Sequence, residues 1–345
     1  MKIIQLSPLE ETVPPKKYGG TELVVFNLCE ELVKMGHEVY LLAAGDSTTS
    51  AKLIPVFPKS IRKLKEAHDI KVREALKFIG IGKILDLLKG LRADVIHNHI
   101  GWRMLPFLSQ IGAPNVTTLH GPLDIRYQQY VYGKFPDSPY VTISNSQRRP
   151  FDKLNFAATV YNGIDFDKFE YSGKPGGYFA FLGRMSPEKG PMQAIKIAKI
   201  AKAKLVMAAK VDAVDEAFFN KEVAPLIDGE QIKFLGEVGH AQKVKLLKGA
   251  RALLAPIQWR EPFGLFFVEA MACGTPVIAY DMGSAKEIVA DGKTGFVVKT
   301  EPEFLNAVKR LDEIKRSDCR ERVKNNFTSR IMAENYLKVY RKLIG

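Results

Sequence analysis

Two carboxylates in one short run are the residues most able to do chemistry. The run is Arg260-Glu261-Pro262-Phe263-Gly264-Leu265-Phe266-Phe267-Val268-Glu269-Ala270-Met271-Ala272-Cys273-Gly274-Thr275-Pro276, with Glu261 and Glu269 flanking seven residues. Glu261 falls in a loop after a strand pattern, and Glu269 in a helical pattern that Gly274 ends. An acid among Leu265, Phe266, Phe267, Val268, Ala270 and Met271 is costly unless something binds it, whether ligand hydroxyls or a neighbouring cation. Eight helical steps would span about 12 Å at ~1.5 Å each, an upper guide because the first steps are loop. That reach matches the spread of a molecule with hydroxyls on both sides of a diphosphate, one carboxylate serving each end.

Phosphate chemistry needs cations and backbone amides. Phe181-Leu182-Gly183-Arg184-Met185-Ser186-Pro187-Glu188-Lys189-Gly190-Pro191 supplies a planar fork at Arg184 and a mobile point charge at Lys189 on one loop, a pair suited to a diphosphate. The competing reading is two surface cations paired with Glu188 or solvent. Tyr18-Gly19-Gly20-Thr21-Glu22 opens the first helix. Its two glycines let backbone approach a ligand, and a helix N-terminus presents amides to an anion; a plain connecting turn has the same composition. His120 ends a strand, a position for catalysis or for a local hydrogen bond. His97 and His99 end the neighbouring strand, are expected to face away from each other, and are assigned local bonding rather than a shared metal.

The elements that must position these residues alternate between short β-rich runs and helical patterns, which argues for parallel sheets of βαβ units. Strands are predicted at 2–7, 38–44, 94–99, 116–120, 140–144 and 159–161, with a first helix at 21–35. Residues 162–177 have the Asn-Gly, Gly-Lys-Pro and Gly-Gly composition of a linker. The pattern restarts with strands at 178–182, 204–209, 232–235, 252–256, 276–280 and 295–298. Helices are predicted near 192–201, 214–226, 241–247, 265–273, 303–314 and 328–344. Two doubly wound halves create a cleft, and ligands of such sheets bind beyond the carboxyl ends of the strands.

At 345 residues the chain exceeds one ordinary core. Its 46% hydrophobic and 26% charged content is that of a globular protein. No run approaches a membrane span of about 18 apolar residues. The N-terminal Met1-Lys2-Ile3-Ile4-Gln5-Leu6 enters a strand at once, and Cys29, Cys273 and Cys319 show no metal or disulfide spacing, so the chain reads as cytoplasmic. The net charge of +13 calls for an anionic partner. Residues 52–92 hold 11 Lys/Arg against 4 Asp/Glu, with Ile61, Leu64, Leu76, Ile79, Ile84, Leu88 and Leu91 at roughly helical spacing. That pattern fits ordinary solvated helices or a basic amphipathic segment on the cytoplasmic face of an anionic membrane. Nucleic acid is not expected as a partner.

The ordered motifs resemble the retaining glycosyltransferases of family 4, which have the GT-B fold: an α/β architecture of two Rossmann-like doubly wound domains facing across a cleft. The likeness runs from Tyr18-Gly19-Gly20 through Gly183-Arg184 and Glu188-Lys189-Gly190 to the Glu261/Glu269 run and Asp291-Gly292-Lys293-Thr294-Gly295. It implies an N-terminal acceptor domain at 1–165, joined by a returning helix at 328–345, and a C-terminal donor domain at 166–327. It implies that Gly19, Gly20, Arg184 and Lys189 hold the donor diphosphate. Glu261 with the amides of Phe263, Gly264 and Leu265 then holds the sugar, Glu269 the ribose, and His120 lies near the transferred hexose. His120 and Glu261 are the expected catalytic residues. The co-substrate is a nucleotide-diphosphate sugar, UDP- or GDP-linked, with no cofactor and no metal; Asp165-Phe166-Asp167 resembles the family's interdomain segment rather than a metal site. The acceptor is a hydroxyl of a glycan, lipid or small molecule. An epimerase acting on nucleotide-sugars and a non-catalytic nucleotide-sugar-binding protein remain alternatives.

Overall fold

The computed structural model describes residues 1–17 and 19–345; Tyr18, the first residue of the glycine turn, lies outside the described residues. Along the chain run β1 (Lys2–Leu6), α1 (Gly20–Lys34), β2 (Glu38–Ala44), β3 (Lys52–Phe57), α2 (Ile70–Lys89), β4 (Val95–Asn98), α3 (Leu105–Leu108), β5 (Asn115–Leu119), α4 (Arg126–Tyr132), β6 (Tyr140–Thr142) and β7 (Phe156–Thr159). Then follow β8 (Tyr178–Arg184), α5 (Pro191–Ile200), β9 (Lys204–Lys210), α6 (Glu216–Phe218), β10 (Ile232–Phe234), α7 (His240–Lys248), β11 (Ala250–Ala255), α8 (Leu265–Ala272), β12 (Val277–Tyr280), α9 (Ala285–Ile288), β13 (Gly295–Val298), α10 (Glu301–Lys309), α11 (Arg316–Asn326) and α12 (Ser329–Ile344).

Two compact units divide the chain: Met1–Gly163 with Ser329–Gly345, and Ile164–Thr328. The first holds a seven-stranded sheet in the order β3-β2-β1-β4-β5-β6-β7, and the second a six-stranded sheet in the order β10-β9-β8-β11-β12-β13. Every pairing is parallel. Parallel strands covered on both faces read as continuous apolar runs, and Ile3, Ile4, Leu6, Leu253, Leu254, Ile278 and Ala279 are all buried. In each unit the strand order reverses between the first strand and the fourth, β1 and β4 or β8 and β11. In an open α/β sheet that is where a crevice forms beyond the strand ends.

The C-terminal helix α12 belongs to the first unit and packs on α1 and β4. Met332, Tyr336 and Tyr340 are buried beneath it. The Gly163 amide points at the Met332 sulfur at 3.1 Å, and the Asn27 amide nitrogen donates to the Gly163 carbonyl at 3.1 Å, tying the last residue of the first stretch to both helices.

Several elements differ from expectation. Residues 52–92 are a strand, β3, two 3-10 turns and α2 rather than helix throughout. Their apolar residues serve the first core: Ile61, Ile84 and Leu88 are buried in it, and Leu64, Leu76 and Leu91 pack against it, while Ile79 is 51% exposed. The continuous helix predicted at 214–226 is a 3-10 turn, the single turn α6, a π turn and a second 3-10 turn around Pro225, in keeping with a proline's clash against a helix interior. The helix predicted to reach residue 314 ends at Lys309 and passes into a 3-10 turn. The last strand of the first sheet is Phe156–Thr159, ahead of the predicted 159–161. α11 was not anticipated. Among the described residues no helix is long and apolar enough to cross a membrane.

Candidate active site

In the second unit the chemistry gathers where β8 and β11 lie side by side. Arg184 is the last residue of β8, and the loop that leaves the strand carries Lys189 and ends at Gly190, with φ 74°. A Cβ there would lie 2.1 Å from the Pro256 carbonyl oxygen just past β11, so only glycine lets the two loops meet this closely. The Gln258 amide donates to the Glu188 carbonyl at 2.8 Å and closes the contact. Lys189 is thereby delivered to Glu261: its Nζ lies 2.5 Å from Oε2, and the side chains are 13% and 9% exposed. Trp259 donates its indole N–H to the same oxygen at 3.0 Å, and Lys189 Nζ stands 4.8 Å over the Trp259 ring and 5.2 Å from that of Phe266.

Beyond Glu261 the chain turns through Gly264, in the left-handed region at φ 79°, into α8. A Cβ at Gly264 would meet the Phe267 ring at 2.6 Å. Ser284 braces the loop, its amide donating to the Glu261 carbonyl at 2.9 Å and its hydroxyl to the Phe263 carbonyl at 2.8 Å. Helix covers only the four steps from Leu265 to Glu269, about 6 Å of rise at ~1.5 Å each. The remaining separation of the two carboxylates is made by loop. Glu269 is buried at 5% exposure, and Lys243 of α7, at 17%, reaches it in a close ion pair. The cation alternative for Glu269 is therefore what the structure shows, with Lys243 as the partner.

Arg184 contacts Glu188 directly and stands 3.2 Å from Asp215. Burial raises the Asp215 carboxyl above its ordinary range despite the Arg184 charge. Burial works to raise Glu188 as well, but bonds from its own amide and Ser186 together with Arg184 outweigh it and leave it lowered. Arg184 and Lys189 are thus both engaged by carboxylates, as the competing reading of that loop had it for Arg184, whereas Lys189 is an interior rather than a surface cation. Asp165 pairs with Lys168 at 2.9 Å, and among the described residues no group of three or more His, Cys, Asp or Glu is arranged to hold a metal ion.

In the first unit Gly19 is the N-cap of α1 and makes no side-chain cap bond; Gly20 is the first helical residue. Glu22, in that first turn, is buried, and desolvation raises its carboxyl to about 7. His120 lies just past β5 with Nε2 2.8 Å from Nδ1 of His99. His97 and His99 do not face apart. Residues two apart on a strand share a face, and their ring centroids are 3.9 Å from each other. Desolvation lowers His120 to about 4 and takes His97 and His99 well below the ordinary value.

The residues missed from sequence are partners rather than principals: Lys243, Trp259, Asp215 and Ser284 in the second unit, Glu22 and Gln5 in the first. An acid in an otherwise apolar helix announces that something must meet it, but the partner lies 26 positions away in sequence.

Two Rossmann-like domains, each with charged or hydrogen-bonding groups at the reversal of its strand order, define the GT-B class of transferases. The model of "Glycosyltransferase Family 4" matches residues 18–168 and that of "Glycosyl transferases group 1" residues 165–330. This chain belongs to that family of glycosyltransferases. It is similar to the phosphatidyl-myo-inositol mannosyltransferase of Mycobacterium tuberculosis H37Rv, 27% identical over 347 residues that cover 90% of this chain and 86% of the relative. It is also similar to an uncharacterized glycosyltransferase of Methanocaldococcus jannaschii, 26% identical with 83% and 82% covered. Among solved structures, sucrose-phosphate synthase of Thermosynechococcus elongatus superposes with TM-score 0.80 at 20% identity, covering 99% of both chains. Anabaena HepE in complex with UDP-glucose superposes with TM-score 0.76 at 18% identity, covering 99% of this chain and 100% of its own. These two likenesses show the fold.

Proposed function

We propose that this chain is a retaining hexosyltransferase that takes a hexose from a UDP- or GDP-linked sugar and passes it to a hydroxyl acceptor without a metal ion. The observation that carries the reading is the pair of buried carboxylates Glu261 and Glu269, each held by a lysine, beside the β8–β11 reversal. Carboxylates accept hydrogen bonds from hydroxyl pairs, and lysines offer charge to phosphate. In this reading the diphosphate draws Lys189 and Arg184 away from their carboxylates. Glu261 is then released to the sugar hydroxyls, with the amides of Phe263, Gly264 and Leu265 beside it, and Glu269 takes the ribose. From the family pattern, the second unit is the donor domain, and the first contributes the Gly19–Gly20 turn to the diphosphate and His120 to the hexose.

In the transfer itself the anomeric carbon's bond to the phosphate oxygen breaks as its bond to the acceptor oxygen forms on the same face. The acceptor proton passes to the departing diphosphate, whose growing negative charge the cations stabilise. Support comes from relatives: the Anabaena structures contain UDP and UDP-glucose, and the mycobacterial relatives are named as mannosyltransferases of phosphatidyl-myo-inositol. That lipid acceptor also favours peripheral contact of α2 with an anionic membrane from the cytoplasmic side. Ile70, Phe78 and Ile79 are 76%, 55% and 51% exposed there, whereas Lys63 and Lys77 are already paired with Asp46 and with Glu10 and Glu74. Loss of vesicle co-sedimentation is expected for Phe78→Ser/Ile79→Ser and for Lys65→Gln/Lys71→Gln; a wild type that ignores phosphatidylserine vesicles would refute the contact.

The test of function is a thermal-shift screen of UDP-, GDP- and ADP-sugars, followed by transfer assays and NMR of the product anomer. A donor at about 100 times its Kd stabilises by about 2.7 kcal/mol. Inversion at the anomeric carbon would refute retention, donor turnover without acceptor would favour the epimerase, and binding without turnover the sensor.

A further inference from the structure

Side chains from β1, from the ends of β4 and β5, and from α12 join into one hydrogen-bonded chain inside the first unit. From His120 the chain passes to His99 Nδ1 at 2.8 Å, and from His99 Nε2 to Gln5 Oε1 at 2.8 Å. The Gln5 amide nitrogen donates to the Tyr340 hydroxyl at 3.1 Å, and that hydroxyl lies 2.6 Å from His97 Nδ1. His97 Nε2 is 2.7 Å from Thr118 Oγ1, itself 3.0 Å from the Tyr336 hydroxyl. Gln5, His97, Thr118, Tyr336 and Tyr340 are fully buried and His99 nearly so.

One group sets the direction of the chain from His120 to Tyr340. An amide nitrogen only donates and an amide oxygen only accepts. With the Gln5 nitrogen on Tyr340, Oε1 must accept, so His99 carries its proton on Nε2 and offers a lone pair at Nδ1. His120 must then donate from Nε2, and as a neutral ring it keeps a lone pair on Nδ1. No hydrogen bond engages that nitrogen among the described residues. On the other side the Tyr340 hydroxyl accepts from Gln5 and keeps a proton and a second lone pair, either of which can meet His97 Nδ1. Donation runs head to tail from His120 as far as Tyr340. Desolvation keeps all three rings uncharged near neutral pH, with His120 lowered to about 4. As a neutral ring His120 offers the Nδ1 lone pair rather than a charge.

We propose that Gln5 and His99 are positioning residues that hold His120 in a single neutral tautomer, so that its Nδ1 accepts a hydrogen bond from a hydroxyl of the bound sugar. The proposal rests on His120 being a site residue, as above. It fits a transfer in which the departing diphosphate takes the acceptor proton, because His120 then orients a hydroxyl without titrating. The C-terminal helix enters the site through Tyr340, which holds the far side of the Gln5 amide.

The experiment is ¹⁵N NMR of the full chain labelled at histidine, with steady-state kinetics alongside. The wild type should show His120 as the Nε2–H tautomer, unchanged between about pH 8 and pH 5.5. Gln5→Leu and His99→Phe should mix the tautomers and lower kcat about tenfold, the worth of one hydrogen bond, with donor KM within about threefold. A wild-type His120 protonated on Nδ1 overturns the proposal, and because that spectrum needs no variant, misfolding of a variant does not shield it. Mixed tautomers with an unchanged kcat overturn it equally. A chain that transfers no sugar from any donor refutes the assigned function instead, and the wild-type spectrum still decides the tautomer.

Discussion

Breaking the Lys243–Glu269 pair from either side separates what Glu269 does for the fold from what it does for a ligand. With the Glu269 side chain 5% exposed and that of Lys243 17%, Lys243→Met leaves a carboxylate in apolar surroundings, whereas Glu269→Gln leaves a lysine whose long stem can carry its ammonium toward water. An uncompensated buried charge costs about 3–5 kcal/mol; the lysine's escape reduces the second case to about 1–2 kcal/mol. In a unit of this size each kcal/mol moves Tm by about 2–4 °C. Lys243→Met should thus lower Tm by about 6–20 °C and Glu269→Gln by about 2–8 °C, and the double variant should recover part of the larger loss. Ligand binding sorts the other way. Glu269→Gln gives up a charged acceptor worth about 1.5–3 kcal/mol, a weakening of about tenfold to a hundredfold, while Lys243→Met keeps the acceptor and its affinity. Calorimetric unfolding reads the first quantity, and titration with the nucleoside diphosphate that most stabilises the wild type reads the second. If Glu269→Gln melts lower yet binds that nucleotide as the wild type does, Glu269 is only an anchor for α8 and its assignment to the ribose fails.

Other perturbations follow from the same geometry. Gly190→Ala would push the β8 loop off Pro256, costing about 1–3 kcal/mol of backbone strain and separating Lys189 from Glu261; donor affinity should fall with it, and an unaffected affinity would show that the loop contact is irrelevant to binding. The histidines make acid destabilising. Their folded values lie below the unfolded one near 6.5, so stability is full above that pH and is lost as the pH falls toward 4, with His120 alone accounting for about 3 kcal/mol; urea midpoints that match at pH 7.5 and about pH 5 would contradict this. Glu22 has the opposite sign, because burial raises it to about 7 and its ionisation costs stability as the pH rises from about 4.5 to 7. Glu22→Gln should therefore stabilise by about 2–3 kcal/mol near pH 8 and by little near pH 5, which denaturation at the two pH values measures.

Most of the layout was legible because parallel strands covered on both faces must be short and apolar. Glu38–Ala44 and Gly295–Val298 were located to the residue. β3 was not, since Lys52-Leu53-Ile54-Pro55-Val56-Phe57 carries a proline and sits in a basic stretch whose spacing imitates a helix; as an edge strand it tolerates the proline. α11 escaped because it is strongly polar and buries only Arg316, Cys319 and Val323. Arg316 is held not by apolar contact but by carbonyls of Ser172, Lys248 and Ala250 and the Thr275 hydroxyl, which no local pattern reveals. In the site, the acids and cations could be picked out by type and strand-end position. Which of them would meet was set by the folded neighbourhood, through the approach of Gly190 to Pro256 and of α7 to α8.

The membership of α12 in the first unit has a consequence for how the molecule is made. Residues 164–328 emerge from the ribosome as one uninterrupted stretch, so the second unit has all its parts before the first does. Domains usually mature in the order of synthesis, but here the earlier sheet must wait, with β4 and α1 uncovered, until Tyr336 and Tyr340 arrive. His120 acquires its fixed orientation only then, so the hydrogen-bonded chain beneath it is completed after the second unit has left the ribosome.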